Sequence, residues 1–337
     1  MTQLNNGITL FFSLLIEAMP FLLIGVLFSS LLLLFVDEQK LLTVIPKNVV
    51  LAALAGSLMG FMFPVCECGN VPVARRLLSK GAPTAVAIGF LLAAPAVNPV
   101  VFWATWIAFR DQPEIVFLRL GFTLFIAVAI ALIFSAQADM RPFLQDNLTR
   151  LMGSPQPAPV EPEVSPLLRS GTFLMQAPGQ VLQLDAPPAQ VMAQATTVQP
   201  PLVARLPLVV DNMVLELREL GAVLVIGSAI AAFVQVAIPR EVILNLGQGP
   251  VTSILAMMVL ALVVSICSTV DSFFALSFAS TFTGGALLAF LVFGPMIDLK
   301  NIGLLLTVFK GRAIVYLFLL AAQLTFLLTL VMNLYTG

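Results

Sequence analysis

The residues of this chain best equipped for chemistry are two thiols one residue apart, Cys66-Glu67-Cys68, placed just after Pro64 at the end of an apolar run. A proline removes a backbone donor and distorts a helix, which leaves polar groups free to face a cavity instead of lipid. Two thiols on irregular backbone can chelate a soft ion. Sulfur ligands select Cu(I), Zn and similar species, and trivalent arsenic follows the same logic. Arg75, Arg76 and Lys80 follow closely in sequence, and their charge is expected to favour the thiolate form. A third thiol opens Cys267-Ser268-Thr269-Val270-Asp271, with Asp271 four residues on, as Asn70 is from Cys66. If the two segments meet in space, Cys66, Cys68 and Cys267 form a three-sulfur pocket flanked by Asn70 and Asp271.

Other polar groups interrupt apolar segments. Pro95-Ala96-Val97-Asn98-Pro99 lies within the uncharged stretch Ala82–Phe109, and two prolines so close cannot belong to one regular helix. They free carbonyls and leave Asn98 at the break. Gly294-Pro295, followed by Asp298, Lys300 and Asn301, repeats the idea with charge. A carboxylate inside a spanning segment is costly, so it faces a cavity or a partner, and Asp298 and Lys300 are placed to neutralise each other. Glu17 lies about ten residues into its own apolar run. Glu17 and Glu219 are the candidates for proton coupling. The chain has no histidine, so any proton carrier is a carboxylate, a lysine or a thiol, and imidazole-built zinc sites are excluded. The substrate-binding set is Cys66, Cys68, Cys267, Asn70, Asn98, Asp271 and Asp298; no metal site of the protein's own and no cofactor is expected.

The spacing of these residues recurs. Glu17 precedes Cys66 by 49 residues and Glu219 precedes Cys267 by 48; Pro95 follows Cys66 by 29 and Pro295 follows Cys267 by 28. Such an internal repeat with interrupted helices at matching places points to a transporter's substrate site. In each half a long helix starts near the acid, a second ends at the cysteine, a short polar segment follows, then a broken helix and a last helix. The polar segment Cys66–Lys80 is too short to cross a membrane alone, at ~1.5 Å per residue against a ~30 Å core, and reads as a re-entrant or interfacial turn; its counterpart is Ser268–Thr281. Four spans per half predict eight spans and an all-α fold. That count makes the repeats parallel, whereas a reversal at Pro95 or Pro295 makes them inverted. Gly25, Gly56, Gly60, Gly221 and Gly227 read as sites of close helix packing.

Composition supports a membrane setting. Hydrophobic residues make up 60% of the chain and charged residues 10%, against roughly a quarter charged in soluble domains. Ile8–Phe35 carries only Glu17 as a charge, and several other stretches carry none, which predicts a polytopic integral protein of a bacterial inner membrane. The basic residues mildly favour termini outside, with Arg75, Arg76 and Lys80 opposing that bias. A net charge of −1 gives no reason to expect nucleic acid. Three cysteines are an odd number and argue against a disulfide framework. No Gly-x-x-x-x-Gly-Lys-Ser/Thr motif is present, so ATP hydrolysis by this chain is not expected. The halves, 1–136 and 206–337, are joined by 137–205, where eleven prolines from Pro142 to Pro201 read as a flexible linker outside the membrane. Short amphipathic pieces in it, Arg141–Leu151 and Gly179–Leu184, are placed to touch the bilayer surface.

The ordered series Pro64-Val65-Cys66-Glu67-Cys68-Gly69-Asn70-Val71-Pro72-Val73-Ala74, Lys80-Gly81, Phe90-Leu91 and Pro95-Ala96-Val97-Asn98-Pro99 resembles the predicted-permease family that includes the organoarsenical efflux permeases (ArsP-type). The resemblance covers nearly the whole chain apart from the linker. It implies extrusion of trivalent methylated or aromatic arsenicals held by paired cysteines, here Cys66 and Cys68. The expected partners are therefore a small-molecule substrate, the lipid bilayer and a proton gradient, and the protein is not expected to be an enzyme. Two other readings remain open on the residues: a transmembrane thiol–disulfide oxidoreductase passing electrons through Cys66 and Cys267, and a permease for a sulfur-containing anion recognised by Arg75 and Arg76.

Overall fold

The computed structural model describes residues 2–35, 45–46, 48–62, 67–137, 141–145, 173–177, 180–183, 202–237, 249–279 and 281–336. Within them the first half of the chain forms α1 (Thr2–Phe35), α2 (Val49–Met62), α3 (Glu67–Ser79), α4 (Thr84–Ala93), α5 (Pro99–Ala108) and α6 (Pro113–Ser135). The second half forms α7 (Leu202–Ala237), α8 (Pro250–Val264), α9 (Asp271–Leu276), α10 (Gly284–Met296), α11 (Leu299–Leu305) and α12 (Gly311–Thr336).

Most helices are apolar on all sides, as segments bathed in lipid or buried among helices must be. Their boundaries follow local chemistry. Pro99, Pro113 and Pro250 each occupy a helix start, where a missing N–H costs nothing. Asn98 caps α5 by accepting the Val100 N–H at 2.9 Å. Asp298 caps α11 by accepting the Asn301 N–H at 2.6 Å. These side chains satisfy amides at the start of a helix that has no preceding turn.

Five stretches among the described residues are long and apolar enough to cross a membrane: Asn5–Ser30, Pro113–Ser135, Met213–Val236, Gly284–Leu305 and Gly311–Tyr335. Eight spans are expected, one of them broken in each half; these five are the long ones among the described residues. Helices α4, α5 and α8 are shorter, with 10, 10 and 15 residues, about 15–23 Å at 1.5 Å per residue against the ~30 Å core, and α4 and α5 are separated at the break expected around Pro95. The Cys66–Lys80 segment is also corrected. From Glu67 onward it is not a turn but the 13-residue helix α3, nearly all of it buried.

The short helices form the interior and the long ones flank it. Helix α2 packs on α4 and α6, and α8 packs on α10 and α12; α3 packs on α1, α4 and α11; α9 packs on α5 and α10. Large apolar side chains such as Ile16, Trp103, Phe125, Ile226 and Phe233 face outward, the pattern of a protein solvated by acyl chains. A Cβ on Gly25 would lie 2.4 Å from the Gly69 carbonyl oxygen, and one on Gly56 would lie 2.3 Å from that of Val86. Gly60 meets Ala94 with similar closeness. These three glycines thus act as expected, letting backbones touch. Gly227 makes only ordinary contact with Lys300, and Gly221 has open space around it, so the packing role does not extend to them.

Residues Arg141–Phe143 form a short 3-10 turn. Phe143 accepts the Lys310 N–H at 2.7 Å, and the Gln145 N–H donates to Val308 at 3.0 Å. The start of the expected linker is thus tied to the turn after α11. A separate unit, Ser154–Leu208, contains an antiparallel hairpin of β1 (Phe173–Ala177) and β2 (Gln180–Gln183), pairing Phe173 with Gln183 and Met175 with Val181. The hairpin falls within the stretch read as a linker. Apolar residues flank Pro178-Gly179, a turn-forming dipeptide. The remainder of 138–201 lies outside the described residues.

Replacing Gly56 by leucine is expected to lower the thermal midpoint of the purified protein in detergent, by the ~1–3 kcal/mol typical of overpacking. Gly221→Leu, made in open space, should leave it nearly unchanged. Equal midpoints would contradict the packing role of Gly56.

Candidate functional site

Interrupted helices leave backbone groups without partners, and the site begins there. Pro95 has no N–H to offer the Leu91 carbonyl one turn earlier. The Asn70 amide takes its place, donating from Nδ2 to the Leu91 oxygen at 2.6 Å. In the second half, Asn301 Nδ2 donates to the Met296 carbonyl at 3.2 Å, at the end of α10. Asn98, Asp298, Asn70 and Asn301 thus stabilise the breaks in addition to facing the interior, and all four are buried.

Two charged clusters are built around these breaks. In the first, Glu67 and Cys68 in the first turn of α3 meet Asp298 and Lys300 of α11 and Cys267, which lies between α8 and α9. Glu67 is within electrostatic reach of Cys267, Cys68, Lys300 and Asp298, and Lys300 is within reach of Asp298, Cys68, Glu67 and Glu17. Glu67 and Asp298 are each 2% exposed and Lys300 is 1% exposed. Among the described residues, Glu17 Oε1, Glu67 Oε2, Asn70 Oδ1, Asp298 Oδ2 and Asn301 Oδ1 have no hydrogen-bond partner.

The second cluster joins α6 to α9. Arg119 Nη2 bonds Asp271 Oδ2 at 2.9 Å and Oδ1 at 3.1 Å. Its Nη1 donates to Thr105 Oγ1 and to Ser272 Oγ, both at 2.8 Å. All four side chains are buried. A third set of ion pairs runs from α3 to α7: Arg75 to Glu219 at 2.9 Å and Arg76 to Glu216 at 3.7 Å, with Ser29 Oγ of α1 donating to Glu216 at 3.0 Å.

This geometry sorts the residues read from sequence. Cys68 and Cys267 are buried, and both lie within electrostatic reach of Glu67; Cys66 lies outside the described residues, so the three-sulfur pocket is not described. Asn98 lines an apolar cavity of about 200 Å³ with Leu58, Phe61, Val97, Phe102, Leu120 and Leu124. Asp298 faces Lys300, as its position implied. Asp271 is held by Arg119. Glu17 approaches Lys300, whereas Glu219 is 47% exposed and occupied by Arg75.

The cation near Cys68 is Lys300, not Arg75 or Arg76. Those arginines stand two turns along α3, ~10–12 Å away by helical rise, and are paired with glutamates. Sequence reasoning passed over Glu67, Glu216 and the role of Arg119. The last had a signal: one arginine in a 23-residue apolar helix needs an acid, and Asp271 sat equally alone.

The comparisons with known proteins bear on what these clusters serve. The family described as predicted permease (ArsP_1) matches residues 3–334. The chain belongs to that permease family. Relatives of this permease include the UPF0718 protein YcgR of Bacillus subtilis, 38% identical over 310 residues that cover 92% of this chain and 90% of the relative. A Streptococcus mutans protein is 30% identical over 307 residues, covering 91% of this chain and 88% of that protein, and its name assigns it to a two-component membrane permease complex. No solved structure matches the chain. The permease is a multi-pass integral membrane protein with bacterial relatives.

Breaking the Arg119–Asp271 pair from one side should destabilise the permease strongly. Asp271→Asn or Arg119→Met leaves a buried group uncompensated, a loss of ~3–5 kcal/mol. The double variant Arg119→Met/Asp271→Leu should recover much of it, because an apolar pair of similar volume needs no desolvation. A double-mutant cycle on detergent denaturation reads the coupling; additive losses would refute it.

Proposed function

We propose that this permease exports a soft, thiol-reactive solute of the trivalent organoarsenical class, and that Cys68 and Cys267 hold it. The observation that carries this reading is that two cysteines from distant parts of the chain are both buried and both within electrostatic reach of Glu67. A dihydroxy arsenical exchanges its two hydroxyls for two thiols: two As–S bonds form, two As–O bonds break, and the thiol protons leave with the hydroxyls as two waters. Nothing is oxidised or reduced. Reversing the exchange with water on the far side releases the solute. Cys66, two positions before Cys68 in sequence, belongs to the same set, and Asn98, Asp271 and Asp298 would line the path. Membership in a permease family supports transport over the electron-transfer reading. The glutamate partners of Arg75 and Arg76 count against their serving as a free anion site.

We read the fold as two repeats, 1–136 and 206–337, and several contacts support this. The pairs α2–α4 and α8–α10, α4–α6 and α10–α12, and α2–α6 and α8–α12 correspond under an offset of about 200 residues. More tellingly, α3 packs on α11 while α9 packs on α5, an exchange between halves that a two-fold relation requires. The thiols then lie where the halves meet, the position of transporter binding sites built from discontinuous helices. A proton gradient is the energy source we assign.

Everted vesicles carrying the native chain should accumulate methylarsenite when a proton gradient is imposed. Cys68→Ser and Cys267→Ser should each reduce accumulation about tenfold or more, the factor given by ~1.4 kcal/mol of lost binding. Undiminished accumulation in both variants would sink the two-thiol reading, and absence of accumulation in the native chain would sink the substrate class.

A further inference from the structure

The interior places three carboxyl groups around one ammonium. Glu17 comes from α1, Glu67 from α3, and Asp298 and Lys300 from α11, and Lys300 lies within electrostatic reach of all three acids. Uncompensated charge is expensive inside a membrane protein. With every acid ionised the cluster would carry two excess negative charges, and nothing described around it supplies the balance. Cys68 and Cys267 lie within electrostatic reach of Glu67, and a cysteine brings no positive charge. Helix α7 meets the Lys300 backbone at Gly227, but its glutamates at 216 and 219 are matched by Arg76 and Arg75. Helix α4, packed against α3, carries no charged residue.

A second observation is independent of this charge count. Glu67 Oε2 and Asp298 Oδ2 belong to side chains 2% exposed, and neither oxygen has a hydrogen-bond partner among the described residues; nor does Glu17 Oε1. Buried carboxylate oxygens are hydrogen-bonded almost without exception, and an orphan calls for a proton, an ion or a water. The contrast with Asp271 is instructive. There two oxygens meet one arginine and a serine, and the charge is matched one to one.

We propose that Glu17, Glu67, Asp298 and Lys300 form the proton-binding centre of the permease, an electroneutral cluster holding two exchangeable protons among its three carboxyls. The coupling role rests on the transport reading above; the proton occupancy does not. Solute seated on Cys68 and Cys267 lies against Glu67, so filling the thiols changes the cluster's proton affinity, and by linkage protonation changes solute affinity by the same factor. Each released proton passes from a carboxyl oxygen to water, leaving a carboxylate that the Lys300 ammonium can hold. Glu17 thus keeps the coupling role read from sequence, as one member of the cluster, and Glu219 does not belong to it.

The test counts protonated carboxyls by infrared spectroscopy of the purified permease at neutral pH, with no solute present. Charge balance fixes the expected changes: Glu17→Gln, Glu67→Gln and Asp298→Asn each lose about one protonated-carboxyl equivalent, whereas Lys300→Gln gains about one. A purely structural role for these residues does not give a gain on removing the lysine. Spectra unchanged in all four variants would overturn the proposal. In proteoliposomes, Glu17→Gln should keep methylarsenite exchange at equal pH but lose accumulation driven by a pH gradient. Accumulation driven by a sodium gradient instead, in the native chain, would also overturn it. Should the native chain not move methylarsenite while the infrared changes appear, the solute assignment fails and the proton centre stands.

Discussion

Every backbone polar group at membrane depth must find a partner inside the protein, and the interior of this permease is organised by that constraint. Two apolar segments are broken near Pro95 and Pro295, and each break frees amides and carbonyls that water cannot reach. The side chains that repair them are Asn70 on the Leu91 carbonyl, Asn98 on the Val100 amide, Asp298 on the Asn301 amide and Asn301 on the Met296 carbonyl. Polar residues therefore concentrate where the helices are discontinuous, and the buried thiols and charges gather around them. Repair falls on residues that the proposed site also uses, so a substitution at Asn70 or Asp298 acts on the fold whatever it does to a solute.

The charges obey a related rule. Arg119 of the first half pairs with Asp271 of the second, and Arg75 and Arg76 of α3 pair with Glu219 and Glu216 of α7. Lys300 of the second half faces Glu17 and Glu67 of the first. In these pairings the ions are matched across the halves, so the second half completes the electrostatics of the first. The exposed apolar belt and the glycine contacts hold the helices together without direction, while these pairs set which helix faces which. Cross-half pairing also places the polar centre at the seam, where relative movement of the halves can alter it.

The class of fold was legible in composition and in the length of the apolar runs, and the breaks at Pro95 and Pro295 followed from proline's missing donor. The counterpart spacing of the two cysteine segments singled out Cys68 and Cys267, each within electrostatic reach of Glu67. Hydropathy alone cannot distinguish a continuous span from two short helices meeting at a capped break such as Asn98-Pro99; there the prolines marked the interruption. The arginines after Cys68 misled for another reason. Nearness in sequence was taken for nearness in space, but a helix carries Arg75 and Arg76 two turns away from the thiol. Lys300 reaches Cys68 only through tertiary packing of α3 on α11, which no local pattern encodes.

The Arg119–Asp271 pair also imposes an order on biogenesis. Its members are 152 residues apart, so at ~5–20 residues per second the ribosome needs on the order of ten seconds or more between them. Throughout that interval α6 exists without the acid that neutralises its only basic residue. Arg119 lies in the second turn of α6, close enough to the membrane surface for its long side chain to reach the headgroups. The nascent first half can therefore wait with α6 displaced towards the interface. Arrival of α9 supplies the acid, so that pairing exchanges headgroups for protein around one guanidinium.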